Sequence, residues 1–449
     1  MQQDLTKGKV LPVLIRFSIP IMLGSLFQLI YNFTDSLIVG RILGASELAG
    51  VGATGSINFL IIGAATGATG GFTVFVARYY GAKEAENMRR AIAHALMISV
   101  VMSAAVTAVS LILLRQILRW MHTPADIFAY SYQYISVIFG GLIITVLYNL
   151  LAGILRSVGD SRTPLYFLIL SSLLNIGLDL LFVAVWKAGV RGAAIATVIA
   201  QAVSVLLCIL YAARRFKFLF PRRAHFAPDR RLLREMALLG LSMGFMNSFV
   251  AVGNILMQSS LNLLGTAYVA ANTAADKVIR LFMTPLVTFS NAMTTFTGQN
   301  LGARKTGRIR EGLRVCLALD TAWSLLSFLI CLAFGPQLIA LLINQTADHF
   351  DLVIQNGTFF LRWNTLFLLA LGPLFAYRCT LTGLGNKLVP TLSAVTELII
   401  KILFVLFVIP VYRYPAIALT EPISWVFVLA VLVIFFYRNP VIRGGKKEA

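Results

Sequence analysis

Twelve apolar stretches, each about 20 residues long, run through this sequence, and no other feature limits its fold so strongly. A helix of that length crosses the hydrocarbon core of a bilayer, where every backbone amide must find its partner within the segment. Of the 449 residues, 58% are hydrophobic and 12% charged, which excludes a soluble enzyme. The spans fall at about 13–38, 52–77, 91–114, 131–154, 164–184, 191–213, 236–262, 276–297, 314–333, 358–378, 390–410 and 416–437. The run 336–343 reads as a short interfacial helix. The polar start at 1–10 leads into a span longer than a signal peptide's apolar region and without a cleavage site, so the first span is expected to be retained.

The formal charge of +20 sits almost wholly between the spans. One set of gaps holds 28 Lys and Arg residues and the opposite set holds 6, which puts both termini in the cytoplasm and the chain in the inner (cytoplasmic) membrane. The longest polar interval is basic, from Arg214 to Arg234, and divides the chain into a lobe at 1–213, a linker at 214–235 and a lobe at 236–449. Such a linker suits anionic lipid; nucleic acid is not an expected partner. Cys208, Cys316, Cys331 and Cys379 lie in or beside apolar runs without metal-ligand spacing and read as small buried hydrophobes. His94, His122, His225 and His349 are scattered, and no nucleophile–base or metal pattern marks an enzyme.

The two halves repeat each other. Gly44 and Gly81 match Gly265 and Gly302, each pair 221 apart, while Gly159 and Pro164 match Gly385 and Pro390, each pair 226 apart. Six spans per half return the chain to one side, so the fold is an all-α integral membrane protein of twelve helices in two parallel six-helix repeats.

Ionisable residues inside spans cost a few kcal/mol each and mark either function or paired structure. Glu397 with Lys401 and Asp276 with Arg280 have the i,i+4 spacing of ion pairs. Asp320 and Arg362 are open as partners across helices. Asp35 and Asp179 have no basic residue within helical reach, and Asn175 lies one turn before Asp179 on the same face. Two carboxylates brought together in a bundle could exchange a proton for a cation; alternatively each is kept by local hydrogen bonds or faces water. Pro20 should kink the first span, as a moving part or as an inert bend. Gly63, Gly67, Gly70 and Gly71 make the second span either a close helix contact or a flexible one.

The segments Pro20…Asp35-Ser-Leu-Ile-Val-Gly40-Arg-Ile-Leu-Gly44, Val76-Ala-Arg-Tyr-Tyr-Gly81-Ala82, Leu155-Arg156-Ser-Val-Gly159-Asp160 and Gln299-Asn-Leu-Gly302-Ala303 together resemble the multidrug and toxic compound extrusion (MATE) family over essentially the whole chain. The resemblance implies a V-shaped pair of lobes acting as a monomer. It also implies export of small amphipathic, often cationic organic compounds in exchange for H⁺ or Na⁺, with no other cofactor. It further implies a first-lobe cation site at Asp35, Asn175, Asp179 and Thr197. Gln28, Asn32, Asn149, Asn254, Met257 and Gln258 are candidates for the substrate cavity. Two departures stand out: Arg78 where the family often has Gln, and Val250 near the position where some members carry a glutamate. The second concentrates coupling in the first lobe. A lipid-linked precursor flippase of related architecture is the alternative, though it should need several cavity cations to hold a pyrophosphate.

Overall fold

A computed structural model describes residues 3–121, 123–343 and 350–444. His122, His349, Lys446 and Lys447 lie outside the described residues. The described residues are mostly helical: α1 Val10–Ile42, α2 Ala45–Ala53, α3 Gly55–Gly81, α4 Ala85–Trp120, α5 Ala125–Gly140, α6 Leu142–Ser157, α7 Arg162–Asp179, α8 Gly189–Arg215, α9 Arg230–Asn262, α10 Thr266–Gly302, α11 Thr306–Ala340, α12 Phe350–Leu366, α13 Leu368–Gly383, α14 Val389–Leu403, α15 Ile409–Tyr412, α16 Tyr414–Arg438 and α17 Pro440–Gly444. Among the described residues, nine helical segments are long and apolar enough to cross a membrane, and the bent pairs α5–α6 (49°) and α12–α13 (46°) add two. The twelfth is α10, which has the length of a span but carries Asp276, Lys277 and Arg280.

The repeat is written into the backbone. The bends fall at Gly141 and Phe367, again 226 apart. Gly159 (φ 88°) and Gly385 (φ 80°) end α6 and α13, and Lys187 and Arg413, also 226 apart, share a φ of 51°. Asp160 Oδ1 accepts the Thr163 amide at 3.1 Å and Asn386 Oδ1 accepts the Val389 amide at 3.2 Å, so one side-chain cap starts α7 and its equivalent starts α14. Both helices then widen into a π-helical turn, Leu180–Val185 after α7 and Phe404–Val408 after α14. Left-handed backbone at a lysine or arginine is uncommon, and four such residues standing in two matched pairs (Lys83 with Arg304, Lys187 with Arg413) mark duplicated turns.

The chain falls into two compact units. Ile19–Ser248 makes up most of the first, and Leu5–Ser18 joins the chain from Phe249 onward in the second. The boundaries thus cut α1 and α9 rather than a linker at 214–235, because both flanking segments are pinned. In the first unit Arg89 Nε donates to the Phe218 carbonyl, His225 contacts Glu86 at 2.6 Å, and the Asp229 amide donates to His94 Nε2. Asp229 in turn accepts the Leu232 and Arg231 amides, which hold its carboxyl below the usual range and cap α9. In the second unit Gln299 accepts the Leu5 amide, and Arg308 donates to the carbonyls of Lys7 and Gly8.

The glycines of α3 make a close contact. A Cβ at Gly67 would meet the Met243 carbonyl at 2.7 Å, and one at Gly71 would meet Gly240 Cα at 2.9 Å, both backbone atoms that cannot swing aside. Small residues let helices approach in this way where the solvent offers no hydrophobic drive. Gly67→Ala should therefore lower stability by about 1–3 kcal/mol. The check is the thermal unfolding midpoint of the purified variant; an unchanged midpoint would mean that α3 and α9 separate freely.

The run 336–343 is not a separate interfacial helix. Residues 336–340 form the last turn of α11, which passes through Pro336, and 341–343 follow it as a turn. The carbonyl left open by that proline, Leu332 O, accepts Arg362 Nη2 at 3.3 Å, which lets the helix continue. Arg362 is thereby engaged with backbone and is not paired with Asp320, whose Oδ2 receives Cys316 Sγ at 3.5 Å. The four cysteines are free; three are buried.

Candidate cation and substrate site

In the first unit a cavity of about 580 Å³ opens between α1, α3, α6, α7 and α8. Its lining is unusually polar for a membrane interior, with Gln28, Asn32, Asp35, Asn149, Asn175 and Thr197 all contributing. Pro20 also lines it, and α1 runs unbroken through that residue. One cation, Arg156, stands among the lining residues; a pyrophosphate would call for several.

Helical geometry brings the acidic residues together. Asp179 closes α7 just before the π turn and is fully buried, Asn175 lies one turn earlier at 1% exposure, and Asp35 comes from α1 half-buried. The Asp35 and Asp179 carboxyls lie within hydrogen-bonding reach of each other, and one oxygen of each, Oδ1, has no hydrogen-bond partner. In the amide orientation that satisfies both its ends, Asn175 donates to Asp179 Oδ2 at 3.1 Å and accepts the Thr197 amide at 3.1 Å. The Thr197 hydroxyl donates to the Ala193 carbonyl and lies 3.5 Å from the Tyr31 hydroxyl. Two acidic side chains, an amide and a hydroxyl therefore converge from α1, α7 and α8. Such an oxygen set suits a hard monovalent cation or a shared proton.

The remaining cavity candidates divide. Asn149 donates to the Thr145 carbonyl, whose residue's hydroxyl donates to Gln201 at 2.5 Å. Asn254, Met257 and Gln258 belong to the second unit and do not line this cavity. Met257, 9% exposed, packs in a core with Leu261, Ile279 and Phe360, because α9 turns that face inward. Gln258 donates to Asn262 on the same helix, and Asn254 accepts Lys401 Nζ at 2.9 Å.

Sequence reasoning missed five residues near these sites. Tyr31 and Tyr134 face the acidic pair and read as ordinary aromatics in apolar runs. Arg156 and Arg378 fall at the ends of spans, where a cation reads as a loop residue, although Arg378 is 6% exposed. A fifth, Glu421, lies inside the span at 416–437 and meets the same criterion that singled out Glu397. The expected pairs are present: Lys401 Nζ is 3.0 Å from Glu397 Oε1, and Arg280 Nε is 2.7 Å from Asp276 Oδ2. Among the described residues no group of three or more His, Cys, Asp or Glu side chains could hold a metal ion.

Twelve membrane helices in two repeats, one unit enclosing a polar cavity beside buried acidic residues, define a membrane transporter. The family profile MatE matches residues 20–181 and 243–407. The chain is 26% identical over 387 residues to the probable multidrug resistance protein YpnP of Bacillus subtilis strain 168, spanning 86% of this chain and 85% of that protein. It is 22% identical to the multidrug export protein MepA of Staphylococcus saprophyticus, over 89% of this chain and 88% of the other. A solved structure described as the outward-facing conformation of a multidrug resistance MATE family transporter superposes with a TM-score of 0.86 at 23% identity, covering 97% and 96% of the two chains. The chain belongs to the MATE family of membrane transporters and is not an enzyme.

Proposed function

We propose that this chain is an antiporter that exports small amphipathic, often cationic organic compounds in exchange for H⁺ or Na⁺, with Asp35, Asn175, Asp179 and Thr197 as the coupling site. The observation that carries this reading is the meeting of Asp35 and Asp179, each with one oxygen unpartnered, beside a polar cavity. Two carboxylates at that distance in an apolar bundle hold one positive charge between them, a proton or a metal cation. Asn175 can serve both cases. With its nitrogen toward Asp179 it supports an ionised carboxylate; turned by half a rotation, it offers an oxygen to Na⁺. An organic cation in the cavity would compete for the same negative charge, so drug and coupling ion bind in alternation. Export of multiple drugs is supported by the similarity to YpnP, a probable multidrug resistance protein, and to MepA, a multidrug export protein.

The test is transport in vesicles with Na⁺ and pH gradients imposed separately. Uptake or efflux driven by one gradient and not the other identifies the ion; no response to either refutes antiport.

The excess of cations on one side supports an inner-membrane orientation with both termini and the 214–235 segment in the cytoplasm. In a cysteine-free background, a cysteine at Lys217 should resist a membrane-impermeant thiol reagent applied to intact cells and react after the cells are opened. Rapid labelling from outside would reverse the orientation.

A further inference from the structure

We propose that the second unit contains a cation site built like the one proposed in the first, and that the chain fills it with its own Lys401 ammonium. The backbone sets the equivalence. Matched features 226 apart begin at the bends Gly141 and Phe367 and end at the left-handed residues Lys187 and Arg413. Between them, the same interval carries Asn175 onto Lys401 and Ser171 onto Glu397. Each helix then enters its π turn within a few residues, at Leu180 and at Phe404.

The surroundings agree. Lys401 is 1% exposed, and its three N–H donors meet three acceptors: Asn254 Oδ1 at 2.9 Å, Glu397 Oε1 at 3.0 Å and Glu421 Oε1 at 3.2 Å. These come from α9, α14 and α16. Those helices are the repeat counterparts of α1, α7 and α8, which bring Asp35, the Asn175–Asp179 pair and Thr197 to the first site. Gly253 clears the path for the lysine stem, since a Cβ there would meet Lys401 Cδ at 2.9 Å. Beyond Glu397, Arg378 is buried with its Nε and Nη2 lacking hydrogen-bond partners, and its Nη2 lies 3.9 Å from Glu397 Oε2.

A tethered ammonium occupies the position without being able to leave. The second site thus ties α9, α14 and α16 together while the first exchanges its ion. Removing the amine should uncover a site for a small free cation, with Na⁺ or a short primary alkylammonium ion as its ligand class. The idea rests on the reading of the first site, so the experiment separates the two.

The full-length chain carrying Asp35→Asn, alone and combined with Lys401→Ala, is purified and unfolded by heat in NaCl, KCl, ethylammonium chloride or choline chloride at equal ionic strength. The double variant should show a saturable rise of its midpoint, by several degrees, in ethylammonium or Na⁺ over choline, and Asp35→Asn alone should show none. If the double variant does not fold in choline, its folded yield should recover when it is produced and purified with ethylammonium. Glu397→Gln/Lys401→Met on the same Asp35→Asn background, which removes one charge of each sign from the second site, should fold without dependence on the cation. A double variant that responds to no cation more than to choline, by midpoint or by yield, overturns the inference. A cation response that survives Asp35→Asn with Lys401 intact would instead refute the first-site reading and leave this one standing.

Discussion

Asp35→Asn and Asp179→Asn should each reduce gradient-driven export to that of vesicles without protein. An amide of the same shape can neither release a proton nor neutralise a bound cation, so the alternation between ion and drug has nothing to act on. Folding should survive, because the neutral group removes the desolvation cost of a buried charge and keeps hydrogen-bonding capacity toward Asn175. Drug binding measured at equilibrium should persist, since the cavity extends well beyond the pair. Thr197→Ala sharpens the reading: a missing hydroxyl oxygen should weaken exchange driven by Na⁺ while leaving exchange driven by protons nearly intact. Export at the wild-type rate in both aspartate variants would sink the assignment and shift attention to Asp320, which is fully buried with one oxygen unpartnered.

The second large effect concerns stability. Glu397→Gln takes from Arg378 the carboxylate 3.9 Å away and leaves Lys401 with Glu421 as its remaining acidic neighbour; both cations are nearly inaccessible, and breaking such a buried arrangement costs on the order of 3–5 kcal/mol. That loss should appear as a low folded yield and a lowered unfolding midpoint in detergent. Adding Lys401→Met should recover most of it, because one cation and one anion then remain. Equal stability of the single and double variants, with transport lost in the first, would make Glu397 a transport residue instead.

Much of this fold was legible because membranes simplify the problem. Length and hydropathy place the spans, and a fixed interval between matched glycines exposes the duplication. What the sequence concealed was where charge faces. Arg156 and Arg378 sit at span ends, where an apolar count cannot tell a loop residue from one turned inward. Met257 and Asn254, three residues apart on α9, meet a core and a lysine respectively, a difference set by helix rotation that no count of polar residues resolves. The meeting of Asp35 with Asp179 crosses more than a hundred residues of chain, and spacing alone left it as one of two alternatives. The 336–343 run went astray for a different reason: a proline reads as an end unless its partner is known.

Arg362 acts as a surrogate backbone amide, supplying from a neighbouring helix the donor that Pro336 lacks. A proline in one span and an arginine in the next can thus form a single unit of meaning, in which each excuses the other's presence in lipid. Replacing the arginine alone strands a carbonyl; replacing the proline alone strands a charge. Changed together, to alanine and leucine, they should leave an ordinary straight span behind.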